Sequence, residues 1–157
     1  MDVEVGVHPN DVAVDPTTHK VYVVNHDDST TSVIDGNTGR VLTTVKVGTI
    51  PFKVAVDERT HKVYVVNYDN TISLVAAVYG PAKGPLTDSV VYGPANDLLT
   101  DSAVYGPAKG SFTSSCTAKT PFIGKNPWSI AINSKTGKVY VSNEGSNSLS
   151  ISAEPSC

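Results

Sequence analysis

Along this chain, short β-branched runs alternate with turn residues in a cycle of roughly forty positions. Pro9–Asp15 reads Pro-Asn-Asp-Val-Ala-Val-Asp, Pro51–Asp57 reads Pro-Phe-Lys-Val-Ala-Val-Asp, and Pro127–Asn133 reads Pro-Trp-Ser-Ile-Ala-Ile-Asn. Small apolar triplets of this kind suit a strand buried on both faces. Each is followed by turn residues such as Asp15-Pro16-Thr17-Thr18. A second β-branched and aromatic run then follows, Lys-Val-Tyr-Val-(Val/Ser)-Asn, at Lys20–Asn25, Lys62–Asn67 and Lys138–Asn143. Third strands are expected at Thr31–Ile34, Thr71–Leu74 and Ser148–Ile151, where polar and apolar residues alternate as on a half-buried strand. After the turn Asp35-Gly36-Asn37-Thr38-Gly39, Val41–Val47 supplies a fourth.

The units are joined by Gly-x-x-Pro: Gly6-Val7-His8-Pro9, Gly48-Thr49-Ile50-Pro51 and Gly124-Lys125-Asn126-Pro127. Pro9 and Pro51 stand 42 residues apart and Pro51 and Pro127 stand 76 apart, so the second unit carries an insertion of about 34 residues. That insertion is itself periodic: Val78, Val91 and Val104 each open a copy of Val-Tyr-Gly-Pro-Ala, and the three copies run through residues 78–116. Gly-Pro breaks helix and central strand alike, so residues 78–112 read as a duplicated loop, idle or acting as a docking arm.

A four-stranded antiparallel unit of roughly forty residues has the size of one propeller blade. The motifs Lys-x-Tyr-Val-x-Asn, Ser-Val-Ile-Asp at Ser32–Asp35 and Val-Gly-x-x-Pro at Val47–Pro51 resemble the YVTN family of β-propeller repeats, related to NHL and lactonase-type propellers. The resemblance covers roughly residues 1–77 and 113–152. It implies an all-β fold in a single domain, with blades near 9–48, 51–124 and 127–152 plus 1–6. Val3-Glu4-Val5 matches Val45-Lys46-Val47, so the chain opens on the fourth strand of a blade and closes on a third strand. Propellers have about four to eight blades, and three leave open edges. A six-bladed ring of two chains with exchanged strands is therefore expected; further blades in a longer parent chain are the other reading.

Composition narrows the function classes. The 157 residues carry a net charge of −3, and no basic cluster appears that would mark a nucleic-acid surface. No apolar run approaches the roughly 20 residues of a membrane span, and Met1-Asp2, acidic and followed by no apolar stretch, is not expected to open a signal peptide. The family resemblance favours a secreted, periplasmic or cell-surface setting. Cys116 and Cys157 are a disulfide candidate pair or two free thiols.

In a propeller, the blade linkers and the loops between second and third strands share the top face. The candidate ligand-binding residues there are His8, His26, Asp27, Asp28, Tyr68, Asp69, Asn126 and Glu144. Asp and Asn in such loops also serve plain turn geometry. Carboxylates could bind a divalent cation, calcium or magnesium, and His8 or His26 could act as general acid or base. Asn25, Asn67 and Asn143 are expected to be structural turn formers. His19 and His61 align with Gly137, which marks a turn and no chemistry. Asn10, Phe52 and Trp128 share one position, and the aromatics are expected to pack between blades. The leading expectation is a non-catalytic binding scaffold for a small molecule, a glycan or a protein. A metal-assisted lactonase or lyase and a cell-surface structural repeat are the alternatives.

Overall fold

The computed structural model describes residues 2–76, 89–92 and 123–153. It is all-β, with three antiparallel sheets laid side by side. The first sheet is β1 (Pro9–Asp15), β2 (Lys20–Asn25), β3 (Thr30–Asp35) and β4 (Val41–Lys46), paired in that order. The second is β5 (Pro51–Asp57), β6 (Lys62–Asn67), β7 (Ile72–Ala76) and β8 (Ser89–Tyr92). The third is β9 (Pro127–Asn133), β10 (Lys138–Asn143) and β11 (Ser148–Ala153), in the order β11-β10-β9. Nearest-neighbour pairing of consecutive strands is the simplest way to close each run of alternating residues into a sheet. Among the described residues, no helix is long and apolar enough to cross a membrane.

The first-strand pairs share one register: Val12 opposes Val23, Val54 opposes Val65, and Ile130 opposes Val141. The repeat in sequence is thus a repeat in backbone. Between β1 and β2 and between β9 and β10 the chain turns on a residue in the left-handed region, His19 (φ 54°) and Gly137 (φ 63°), and His61 (φ 57°) does the same before β6. Glycine reaches that region without strain, which explains why it replaces histidine at the third position. Each turn opens on an acid or amide whose Oδ1 accepts backbone N–H groups: Asp15 from Thr17 and Thr18, Asp57 from Arg59, Asn133 from Lys135 and Thr136.

Two departures from the sequence expectations concern the strands. The duplicated insertion is not wholly loop, since Ser89–Tyr92 pairs antiparallel with β7. The Cys116–Cys157 pair falls outside the described residues. Burial of the first strand on both faces is approached only by β5, which lies between two sheets and has no exposed residue. Val12 and Val14 of β1 are 58% and 53% exposed, because among the described residues no sheet covers that side of the first unit.

The core lies between the sheets. Tyr22, Val24, Val33 and Val45 of the first sheet pack on Val54, Val63, Val65 and Val75 of the second. On the opposite face of the second sheet, Tyr64, Ile72 and Leu74 meet Val139 and Val141 of the third. Each fully buried valine is worth about 1.5–3 kcal/mol over its exposed state. Phe52 and Trp128 touch at 5.9 Å between centroids, across the second and third units.

The asparagine that ends each second strand is buried and ties its unit together. Asn67 Nδ2 donates to Thr71 Oγ1 at 2.9 Å and Ser73 Oγ at 3.0 Å. Asn25 does the same to Thr30 and Ser32, and Asn143 to Ser148 and Ser150. The linker glycine sits directly over this amide: a Cβ on Gly6 would lie 2.6 Å from Asn25 Cγ, and one on Gly48 would lie 2.5 Å from Asn67 Nδ2. These asparagines are therefore buried donors on the third strand's hydroxyls, beyond the turn-forming role that the sequence suggested.

Between the first two units, His61 Nδ1 lies 2.8 Å from Asp15 Oδ2, and the Asp15 side chain is fully buried. Burial pushes the Asp15 carboxyl up, but hydrogen bonds from Thr18 and His61 outweigh it and hold the group below its ordinary value. Asp57 is likewise lowered: burial opposes ionisation, and bonds from Arg59, Ser134 and Thr60 prevail.

Two outcomes follow. Replacing Asn67 by Ala removes the amide donor to the Thr71 and Ser73 hydroxyls and opens a void, and should cost about 2–3 kcal/mol in urea unfolding. Asp15 and Asp57 have depressed folded values, so their stabilisation is complete above the unfolded value of about 4 and is lost as pH falls through the folded values. Thermal melts should fall steeply below about pH 4, and Asp15→Asn should flatten that dependence.

Candidate functional site

The linkers and the loops between second and third strands meet at one end of the molecule, bound by a backbone pattern that recurs in every unit. His26 N–H donates to the His8 carbonyl at 3.0 Å and Asp27 N–H to the Val7 carbonyl at 3.4 Å. Tyr68 N–H donates to the Thr49 and Ile50 carbonyls, Glu144 N–H to that of Asn126, and Gly145 N–H to that of Lys125. A side-chain clasp adds to each. Asp28 Oδ2 accepts from Val7 N–H at 2.6 Å, Asp69 Oδ2 from Thr49 N–H at 2.8 Å, and Ser146 Oγ from Lys125 N–H at 3.2 Å. Asp69 also accepts from the Thr71 hydroxyl and, at 3.1 Å, from Thr71 N–H.

A second set of contacts joins one unit to the next. Ile50 N–H points to Ser29 Oγ at 3.4 Å, and Asn126 N–H donates to Asn70 Oδ1 at 2.8 Å. Ser29, Asn70 and Asn147 occupy the same loop position, and all three lie in the left-handed region. Sequence reasoning passed over Ser29 and Asn70. Their signal was present, since a polar residue stands one or two steps before the third strand in each unit.

These bonds sort the sequence candidates. Asp28 and Asp69 serve as clasps, and the Asn126 amide joins two units. Tyr68 is exposed, as is Glu144, which opens a short 3₁₀ turn, Glu144–Ser146. His8, His26 and Asp27 come together. His26 Nδ1 lies 2.5 Å from Asp27 Oδ1, His8 Nδ1 lies 3.4 Å from Asp27 Oδ2, and the two imidazoles stand 5.1 Å apart, tilted by 46°. The His26 hydrogen bond holds the exposed Asp27 carboxyl below its ordinary value, with help from His8. One ligand atom from each of the three residues lies within 4.8 Å of the others. Such a group can hold a shared proton or a cation.

The three-sheet, propeller-like arrangement is similar to part of the solved hydrazine synthase of Kuenenia stuttgartiensis, with a TM-score of 0.60 and 16% sequence identity. That match covers 91% of this chain and 32% of the other, so this chain spans about a third of that chain's length. At this identity the likeness shows the fold alone. No family model and no curated protein matches the sequence.

The division of labour between adjacent aspartates is directly testable. Asp28→Ala removes the acceptor of Val7 N–H and should lower stability by about 0.5–1.5 kcal/mol. Asp27→Ala, which supports no backbone group, should stay within about 0.5 kcal/mol of the parent. Chemical unfolding of the two variants under one buffer condition distinguishes them.

Proposed function

We propose that this chain is a non-catalytic binding scaffold of YVTN type, a half-propeller that a second copy completes to a six-bladed ring. The supporting observation is a contrast in burial at identical repeat positions. Leu149 and Ile151 on the outer face of the third sheet are 57% and 58% exposed, whereas their counterparts Ile72 and Leu74 are 0% and 4% exposed beneath a neighbouring sheet. Val12 and Val14 on the other open face correspond to Val54 and Val56, which pack against the first unit. The open faces are thus the two halves of an interface that the molecule already builds twice. Covering each half-exposed aliphatic side chain contributes on the order of 1 kcal/mol.

The edges support the same partner. Among the described residues, β11 has no fourth strand beside it, and Val3–Val5, which aligns with the end of β4, is not in a strand. Laying Val3–Val5 of the second copy along β11 would restore the sheet. The unit-to-unit contacts extend naturally: Asn147 would receive His8 N–H of the second copy, as Asn70 receives that of Asn126. Asn133 would face His19 of the second copy, as Asp15 faces His61.

The recognition face of such a ring would be its linker end. Strands repeat closely among the units, but the loops read His26-Asp27-Asp28, Tyr68-Asp69-Asn70 and Glu144-Gly145-Ser146. Variation carried on a constant scaffold is how a binding face acquires selectivity for a small molecule, glycan or protein. The His8–His26–Asp27 group favours a second reading, a metal-assisted lactonase or lyase. Lactone turnover lost in His26→Ala would replace the scaffold with that enzyme.

Solution mass by light scattering tests the ring. Twice the chain mass of 16.5 kDa is expected. Leu149→Asp combined with Ile151→Asp should give a folded monomer, because both charges fall on the open face. A monomeric parent protein would overturn the closed dimer and point to blades supplied by a longer chain. A ladder of larger masses would favour the surface-layer alternative.

A further inference from the structure

Two of the three linker-and-loop pairs have one position more than the clasp requires, and only the first fills it with a side chain that carries a ligand atom, since the third has Gly145 there. Five positions separate Asn25 from Thr30, but four separate Asn67 from Thr71. The residue gained lies between His26 and Asp28, and it is Asp27. Because Asp28 takes the clasp on Val7 N–H, the Asp27 carboxylate is released toward the two imidazoles. The backbone bonds from His26 to His8 and from Asp27 to Val7 fix the segments that carry all three groups. In the other units the two histidine positions hold Ile50 with Tyr68 and Asn126 with Glu144, so the set is not a by-product of the repeat.

We infer that His8, His26 and Asp27 form a binding site for a transition-metal ion of the zinc class. Two imidazole nitrogens with one carboxylate oxygen suit zinc and its neighbours, whereas calcium and magnesium take oxygen sets. Zinc bonds of about 2.0–2.1 Å in tetrahedral geometry place ligand atoms about 3.4 Å apart. His8 Nδ1 stands 3.4 Å from Asp27 Oδ2 and His26 Nδ1 2.5 Å from Asp27 Oδ1, so the two imidazoles flank opposite oxygens of one carboxylate. The three residues bring ligand atoms within 4.8 Å of one another, a set that side-chain rotation must draw onto one ion. Three protein ligands leave a fourth position for water or a donor atom of an incoming ligand, and the exposure of His8 and Asp27 keeps that side accessible. The site refines the chemistry of the proposed recognition face. It does not depend on ring closure, because all three ligands belong to one unit of one chain.

The test is zinc titration of the full chain against a chromophoric chelator, with cobalt(II) uptake followed by visible absorption. Cys116→Ser and Cys157→Ser are introduced so that thiolates do not compete. One ion per chain is expected, and the cobalt complex should show d–d bands. Asp27→Asn, which keeps the side-chain volume, and His26→Ala should each weaken binding by at least about tenfold. His19→Ala, an exposed histidine in a turn between first and second strands, should bind as the parent does. Far-UV circular dichroism confirms that each variant is folded. Absence of stoichiometric uptake, or uptake unaffected by Asp27→Asn and His26→Ala, overturns the site. Light scattering with and without zinc separates this failure from that of the ring: a monomer that binds one ion sinks the ring and keeps the site. A mass that rises with each added equivalent shows bridging between surface histidines and overturns the site.

Discussion

The buried amide that closes each second strand is the contact on which the rest of the structure depends. Its Nδ2 reaches two hydroxyls of the third strand, and the same strand position accepts a linker amide: Ser73 Oγ from Gly48 N–H at 2.9 Å and Ser150 Oγ from Gly124 N–H at 3.2 Å. The asparagine and the serine it donates to therefore join second strand, third strand and entering linker. Any side chain on the linker glycine would occupy the volume of that amide. Polar groups this deep cost free energy unless paired; the third-strand hydroxyls supply the partners of each Nδ2, whereas each Oδ1 is buried without one, and the glycine leaves room for the amide. The linker's path fixes where the next sheet begins, and so sets the angle at which sheets stack.

Stacking then distributes the hydrophobic free energy. Each sheet has two apolar faces, and every face is complementary to the opposite face of its neighbour because all three units share one pattern. A central sheet meets this demand on both sides. A terminal sheet meets it on one side only, which is why the same valine position is buried in β5 and exposed in β1. The demand for a neighbour is a property of the repeat and does not reside in any particular residue. Polar contacts at the seam, such as His61 with Asp15 and Asn126 with Asn70, select the register of the neighbour.

Much of this was legible in the sequence because strand periodicity is local. The expected runs at Lys20–Asn25, Lys62–Asn67 and Lys138–Asn143 coincide with β2, β6 and β10, and turn positions were fixed by residues that favour left-handed backbone. What was not legible depends on partners distant along the chain. The Asn67 donor role requires knowing which hydroxyls lie across the strand. The bond of His61 to Asp15 spans 46 positions, and the turn reading of His61, correct for its backbone, gave no hint of it. The pairing of Ser89–Tyr92 set sheet formation against a Gly-Pro repeat that locally reads as loop.

Adjacent aspartates show most clearly where local reading ends. Asp27 and Asp28 have the same chemistry and nearly the same exposure, and nothing in their immediate sequence separates a clasp from a free carboxylate. The distinction lies in loop length. The second loop has room for one aspartate, and Asp69 must hold the linker amide. The first loop has room for two, so once Asp28 meets the structural need the other is released from it. The third loop has the same extra position but fills it with Gly145, which brings no donor. A single added residue in a loop of a duplicated unit is thus enough to release a carboxylate from the clasp, provided the clasp beside it is kept. That requirement locates new chemistry in a repeat protein where a loop exceeds its structural minimum.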